Sequence, residues 1–324
     1  MTTTKVVPVT TEMDGDELDA EDAWQLCRRI GLRRLLLDSF VRFRYADGFS
    51  HSRALALQGA LAVVPFLLAL SGLAAGIDHE RPALVLARTI EHLSPGGGSR
   101  DALASAVTGG GGEHAGGIAL VVGLFFSLLS MTTAMAQVER GTNRIYGIAR
   151  DRKAVAKYTR ALVLTAVLAV PVGLGFLLLV AGASFADAMR QTYGWSERTG
   201  DLWNACRWPI GVALVVFAIA VLLDHAPRRR QPALSWLALG ATLSVLLAMA
   251  ATGLLAAYVH LSGSFGAIYG PLGGVFALLL WSLLSSIAFF AGAAVCAQLE
   301  FLRAGGQHPV HDDPGRPPAQ AVQG

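Results

Sequence analysis

Six long apolar runs, none containing Asp, Glu, Lys or Arg, limit what this chain can become more than any motif in it. They are Ala54–Gly76, Gly117–Val138, Ala161–Ala186, Trp208–Leu223, Ala233–Val259 and Gly270–Leu299. A helix needs about 20 such residues to cross the roughly 30 Å hydrocarbon core of a bilayer. Backbone inside that core must satisfy its hydrogen bonds within the segment. The expected fold class is therefore all-α, a polytopic membrane protein with six transmembrane helices. Charged residues make up only 15% of the chain, against about 25% in soluble domains. The first run, 23 residues beginning at residue 54, is too long for the apolar part of a signal peptide and reads as a retained span.

Loop Lys and Arg orient such a bundle. Segments 1–53, 139–160 and 224–232, with the tail beyond Leu299, hold 20 of them, whereas 77–116, 187–207 and 260–269 hold 6. The fourth run has only 16 residues, but omitting it weakens the division to 15 against 11. Six spans with both termini cytoplasmic are expected.

Outside the spans, residues 1–22 are acidic, Thr-rich and without a core pattern, as in a disordered tail. From 23 to 46 the chain alternates Trp24, Leu26, Leu32, Leu35, Leu36, Phe40 and Phe43 with Arg28, Arg29, Arg33, Arg34, Arg42 and Arg44. That composition predicts an amphipathic basic helix, lying on the cytoplasmic leaflet or packed on the bundle. The transmembrane domain is then 47–303, and the Pro- and Gly-rich 304–324 a second disordered tail. In the loop 77–116, residues 81–93 and 99–107 have the character of short helices between glycine runs.

Inside the spans, Pro65 and Pro171 remove helix hydrogen bonds and permit kinks. The small-residue spacings Gly72/Gly76, Gly266/Gly270 and Gly270/Gly274 permit close helix approach. In the second span Ser130, Thr133 and Gln137 fall within about 60° of one another on a helical wheel, and the stripe continues to Arg140 and Arg144. Polar side chains at that depth face the bundle interior, where they bond between helices or line a wet path. As a path, the stripe ends in cations suited to a phosphate headgroup, with Asn143 beside them and Gln58 of the first span as companion. No span carries a charge near its middle, which argues against a buried proton relay.

Chemistry-bearing constellations are absent. Cys27, Cys206 and Cys296 are far apart and show no pairing pattern. The eight histidines lack metal-ligand spacing. No catalytic residue, cofactor or metal is expected.

Several stretches resemble one family in order and spacing. They are Asp47 ahead of a first span with Val64-Pro65, Leu93-Ser-Pro95 in the first long loop, Asn143-Arg-Ile-Tyr-Gly147 after the second span, and Ala226-Pro227 followed by basic residues. The run YVHLSGSFGAIYGPLGGV at 258–275, then Leu280-Trp281 and Gly292-Ala293, completes the set. Together they resemble the YihY/BrkB family of bacterial inner-membrane proteins, once labelled ribonuclease BN, over roughly residues 30–303. Two departures stand out. Leu57-Gln58-Gly59 replaces an aromatic-rich start, and Ala294 stands where the family usually carries Glu. The resemblance implies a six-helix inner-membrane protein with no soluble catalytic domain, working in the cell envelope. The leading expectation is a transporter or lipid-translocating protein, the alternative a scaffold or envelope-assembly partner. Expected partners are membrane lipids, anionic phospholipid or lipid-linked envelope components, and no nucleic acid. Ribonuclease activity is not expected, because no metal site or acid–base set is visible.

Overall fold

The computed structural model describes residues 5–12, 18–75, 113–261 and 273–312. A short strand β1 (Lys5–Val6) leads into helices α1 (Ala20–Ile30), α2 (Leu32–Tyr45), α3 (Gly48–Ala75) and α4 (Glu113–Ile145). Then come α5 (Ala154–Phe176), a π-helical turn at Leu177–Ala181, α6 (Gly182–Tyr193), α7 (Glu197–His225), α8 (Leu234–Leu261), α9 (Gly273–Arg303) and strand β2 (His311–Asp312). Six helical segments are long and apolar enough to cross a membrane: α3, α4, α5 with its continuation into α6, α7, α8 and α9. The expected short helices at 81–93 and 99–107 lie outside the described residues, as do Leu93-Ser-Pro95, Gly76, Gly266 and Gly270.

The helices outrun the apolar runs that announced them, because a span may carry polar turns beyond the hydrocarbon. The weak fourth run becomes the second half of a 29-residue helix. That helix starts at the Ser196 cap, whose Oγ accepts from Thr199 N at 3.3 Å. Helix α3 continues through Pro65 and α5 through Pro171. The irregularity in the third span comes six residues after its proline, at the π turn. There α7 supplies replacement donors: Trp203 Nε1 donates to Gly182 O at 2.8 Å and Arg207 Nη1 reaches Leu178 O at 3.5 Å.

Neighbouring helices follow one another around a ring: α3, α4, α5, α7, α8, α9 and back to α3. Helices α8 and α9 approach closely through small residues. A Cβ on Gly240 would collide with Cys296 Sγ and lie 2.6 Å from Gly292 O, and one on Gly292 would collide with Ser244 Oγ and Gly240 O. Both helices thus present a small residue every four positions, Gly240/Ser244 against Gly292/Cys296. Lipid tails are as apolar as Leu, so close van der Waals fit replaces the hydrophobic drive between spans.

Helix α9 is divided along its length. Val275, Phe276 and Leu280 are exposed, as a lipid-facing surface would be, whereas every residue from Gly292 to Phe301 is buried. Helices α1 and α2 account for part of that burial by packing across its end, with α1 also against α8. The expected single helix over 23–46 is two helices, because Gly31 adopts φ +87°, a conformation open to glycine. Ala23 and Cys27 of α1, and Leu35, Ser39, Arg42 and Phe43 of α2, face inward. Trp24, Leu32, Leu37 and Phe40 remain more than half exposed.

Of the two tails expected to be disordered, residues 5–12, 18–22 and 304–312 are among those described. Lys5 and Val6 pair antiparallel with Asp312 and His311, and Val7, Thr10 and Leu18 are buried. The acidic composition hid a few inward-facing residues whose partners are remote in sequence.

Gly240→Ala should therefore lower the thermal unfolding midpoint in detergent, overpacking costing about 1–3 kcal/mol. Gly253→Ala, with nothing within 4 Å of the added carbon, should leave it unchanged or raise it. Equal midpoints would contradict the close α8–α9 contact.

Candidate functional site

The four segments that the charge count placed together converge at one end of the ring. Helix α4 stops at Gly147, whose φ of +78° turns the chain back. Ile148 N then donates to Asn143 O at 2.8 Å. Arg144 Nη1 folds over this turn and donates to Ile148 O at 2.9 Å and to Ala149 O. Asp151 gathers three donors: Asn143 Nδ2 at 3.2 Å, Arg140 Nε at 3.3 Å and Lys157 Nζ at 3.3 Å. Asn143 Oδ1 accepts from Arg228 N at 2.8 Å, drawing in the α7–α8 loop. Arg152 pairs with Glu139 at 3.1 Å and donates to Ala226 O and Pro227 O at 2.9 and 2.8 Å. Burial by itself would raise the Asp151 carboxyl, but the Asn143 bond and the charge and bonds of Lys157 and Arg140 outweigh it and hold it below 3.8.

Of the path candidates, Arg140, Asn143 and Arg144 therefore come together, but around a loop of their own chain. Arg140 still has 53% of its side chain exposed. The stripe deeper in α4 meets α3. Gln137 Nε2 lies 3.0 Å from His51 Nδ1, both half-buried. Thr133 Oγ1 donates to Ser130 O at 2.7 Å. Gln58 sits seven residues beyond His51 on the same face of α3, and its Oε1 is buried without a hydrogen-bond partner among the described residues. Ser130 stands seven residues before Gln137. Seven residues are about two turns, about 10 Å along each helix, so Gln58 and Ser130 occupy similar depths in the antiparallel pair. Pro65 belongs to this interface too. A Cβ on Gly123 of α4 would lie 2.9 Å from Pro65 O.

A second polar group is fully buried beside this end. Arg42 is 0% exposed. Its Nε donates to Ile145 O at 2.8 Å, its Nη1 to Gln298 Oε1 at 3.3 Å, and its Nη2 to Pro8 O at 3.0 Å and to Thr10 Oγ1. Arg229 Nη2 lies 2.8 Å from Glu300 Oε2, and the guanidinium stacks 4.8 Å from the centre of the Tyr146 ring. Tyr146 Oη donates to Glu300 Oε1 at 3.2 Å. Burial draws the Arg42 pKa down to about 10, opposed by Tyr146 and Glu300, so it stays cationic at neutral pH. The sequence reading overlooked this group. Leu35, Ser39, Arg42 and Ala46 recur at helical spacing, which marks Arg42 as inward-facing. Nothing in the run Arg228–Arg230 singles out Arg229. Ala294 is buried, and six residues later on the same helix so is Glu300. Among the described residues, no three His, Cys, Asp or Glu side chains are grouped to hold a metal.

Removing one partner of a buried ion pair leaves the other uncompensated, so Glu300→Ala should destabilise the fold by about 3–5 kcal/mol. Breaking the Arg34–Asp38 pair, whose arginine is 61% exposed, by Arg34→Ala should cost no more than about 1 kcal/mol. Unfolding in mixed detergent micelles compares them. Asp151 has a lowered folded pKa, so its stabilisation is complete above the ordinary carboxylate value and is lost as pH falls through the lowered one. Corrected hydrogen-exchange protection of residues 146–160 should fall on acidification below about pH 4, and Asp151→Asn should be poorly protected at every pH.

Comparison with known proteins connects these features to others. The family model described as Virulence factor BrkB matches residues 39–314, and so takes in the helix ring, Arg42, Asp151, Arg229 and Glu300. The chain is 24% identical over 264 residues to YfkH of Bacillus subtilis (strain 168), a protein named as ribonuclease-like, over 82% of this chain and 94% of that one. It is 27% identical over 282 residues to a UPF0761 membrane protein of Chromohalobacter salexigens, over 82% of this chain and 63% of that one. No solved structure matches. By the extent of the family match, the chain belongs to the Virulence factor BrkB family and is a membrane protein with six candidate spans.

Proposed function

We propose that this protein moves an anionic lipid between the leaflets of a bacterial inner membrane, its terminus-bearing end in the cytoplasm and the α3–α4 seam as the headgroup's route. The observation that carries the reading is the polar ladder between these helices. His51 and Gln137 form one rung, with the half-exposed Arg140 above it. Two turns deeper, the unpartnered carbonyl of Gln58 and the hydroxyl-bearing Ser130 and Thr133 continue it. A buried amide oxygen without a donor is unfavourable by about 1–3 kcal/mol, and the hydroxyls of a glycerol-bearing anionic headgroup would supply donors. Acyl chains would stay outside in lipid, against the exposed Leu57, Leu61, Val64, Leu124 and Phe125.

A second reading, a scaffold for envelope assembly, is favoured by the surface of α2. There Leu32, Leu37 and Phe40 are exposed beside basic residues, a face that suits an anionic membrane surface or a partner. Neither reading involves RNA cleavage or an enzymatic activity.

The test is purified protein in liposomes holding fluorescent anionic phospholipid, with a membrane-impermeant quencher added outside. The lipid-translocation reading expects exchange faster than in empty liposomes and slowed at least several-fold by Gln58→Leu or Gln137→Leu. Arg140→Glu should slow it more than Arg230→Glu. Arg229 cannot serve as the control, since it is paired with Glu300. Exchange no faster than in empty liposomes would remove the support for translocation of this lipid.

A further inference from the structure

The buried arginines hold more donors than the protein fills. Arg229 Nη1 and Gln298 Nε2 are buried and have no hydrogen-bond partner among the described residues. The group contains two guanidinium ions, Arg42 and Arg229, and one carboxylate, Glu300. Besides Ile145 O, Gln298 Oε1 and Arg230 O, the N-terminal segment satisfies the arginines. Pro8 O and Thr10 Oγ1 accept from Arg42 Nη2, and Thr11 O accepts from Arg229 Nη2 at 3.1 Å. Three oxygens of one short segment thus lie against two guanidinium corners, an arrangement that the oxygens of a phosphate also satisfy.

Apart from its bonds to the arginines and the burial of Val7 and Thr10, few bonds hold the segment. Thr10 N donates to Tyr146 O at 3.1 Å, and a two-residue ladder joins Lys5–Val6 to His311–Asp312. Val6 and Val9 are exposed, while Val7 and Thr10 face inward. It also lies outside the family match, which begins at residue 39. The cations belong to the part shared with the family, and the cover to the part that precedes it.

We propose that residues 5–11 are a displaceable plug in an anion site formed by Arg42, Arg229 and Gln298, and that a phosphate monoester binds there when the plug leaves. The plug and the anion compete for the same donors, so the apparent affinity is the intrinsic affinity scaled by the fraction of unplugged protein. This inference does not rest on lipid translocation, and the two can fail separately.

Lys5→Cys with Asp312→Cys, in a full-length Cys206→Ser background, tests it. Directly paired antiparallel residues lie about 4.5–5.5 Å apart, within disulfide reach. Titrating inorganic phosphate and dihexanoyl phosphatidic acid calorimetrically into the same detergent sample, oxidised and reduced, reads the effect. Binding should be at least tenfold weaker in the oxidised form. Thr10→Val should bind several-fold more tightly than the parent, with hydrogen exchange of residues 5–11 rising as ligand is added. Binding of both probes identifies free phosphate as sufficient, and binding of the lipid alone identifies a headgroup site. Equal binding in the two redox states, binding with residues 5–11 still protected, or no binding even to Thr10→Val would overturn the proposal.

Discussion

The ion pair between Arg229 and Glu300 at the end of α9 is the constraint around which one end of the molecule is arranged. A carboxylate and a guanidinium withdrawn from water are costly unless both are closely paired and their other polar atoms are met. Meeting them recruits groups from every part of the chain. Tyr146 comes from the end of α4, Arg42 from α2, Arg229 from the α7–α8 loop, and the last acceptors from residues 8–11. The division of α9 follows. Its exposed first half needs only apolar surface, whereas its final turns must be enclosed by α1, α2 and the loops. Such an arrangement fixes which ends meet more than it adds stability. Apolar side chains of similar volume often stabilise as well as a buried pair, but they discriminate less among partners.

Membrane spans were legible in the sequence because hydrocarbon imposes a length and a composition. The charge division also grouped the four segments that now interlock, through Asn143 to Arg228 and Arg152 to Ala226. What could not be read was the state of each charge. Arg140, Arg144, Arg228 and Arg229 look alike in a loop count. In the fold the first two brace a turn, the third binds it through its backbone, and the fourth is buried on Glu300. Long-range partners decide these roles, and local pattern carries no record of them. The contacts of the N-terminal tail are hidden for the same reason. Its acidic composition suggests a solvated chain, yet Thr10 is held by Arg42, 32 residues away.

The candidate path fared differently at its two ends. Gln137 of the stripe meets His51, a residue that the pattern on α4 does not name. Helical spacing made the stripe visible on α4 alone, whereas the matching spacing of His51 and Gln58 on α3 acquires meaning only when the two helices are set antiparallel. At the rim, the cations selected for a headgroup already have partners. A headgroup arriving there competes with Asp151 for Arg140, and the exposed half of that side chain is where such competition begins.

These two polar systems bear on how the ring can move. Parting the helices at the interlocked end would strand Arg42, Arg229 and Glu300 without partners, at several kcal/mol per uncompensated charge. Parting α3 from α4 around Gly123, Ala69 and Pro65 gives up close van der Waals packing, a real cost between spans, but strands no buried charge. Any opening of the seam should therefore be a splaying hinged at the interlocked end. The His51–Gln137 rung lies nearest that hinge and separates least, while Gln58 and Ser130, two turns farther along, separate more. Under the proposed lipid translocation, a headgroup would then meet a narrow polar exit at the rim and a wider gap beyond it, with selectivity at His51, Gln137 and Arg140 and the deeper seam left to respond to lipid pressure.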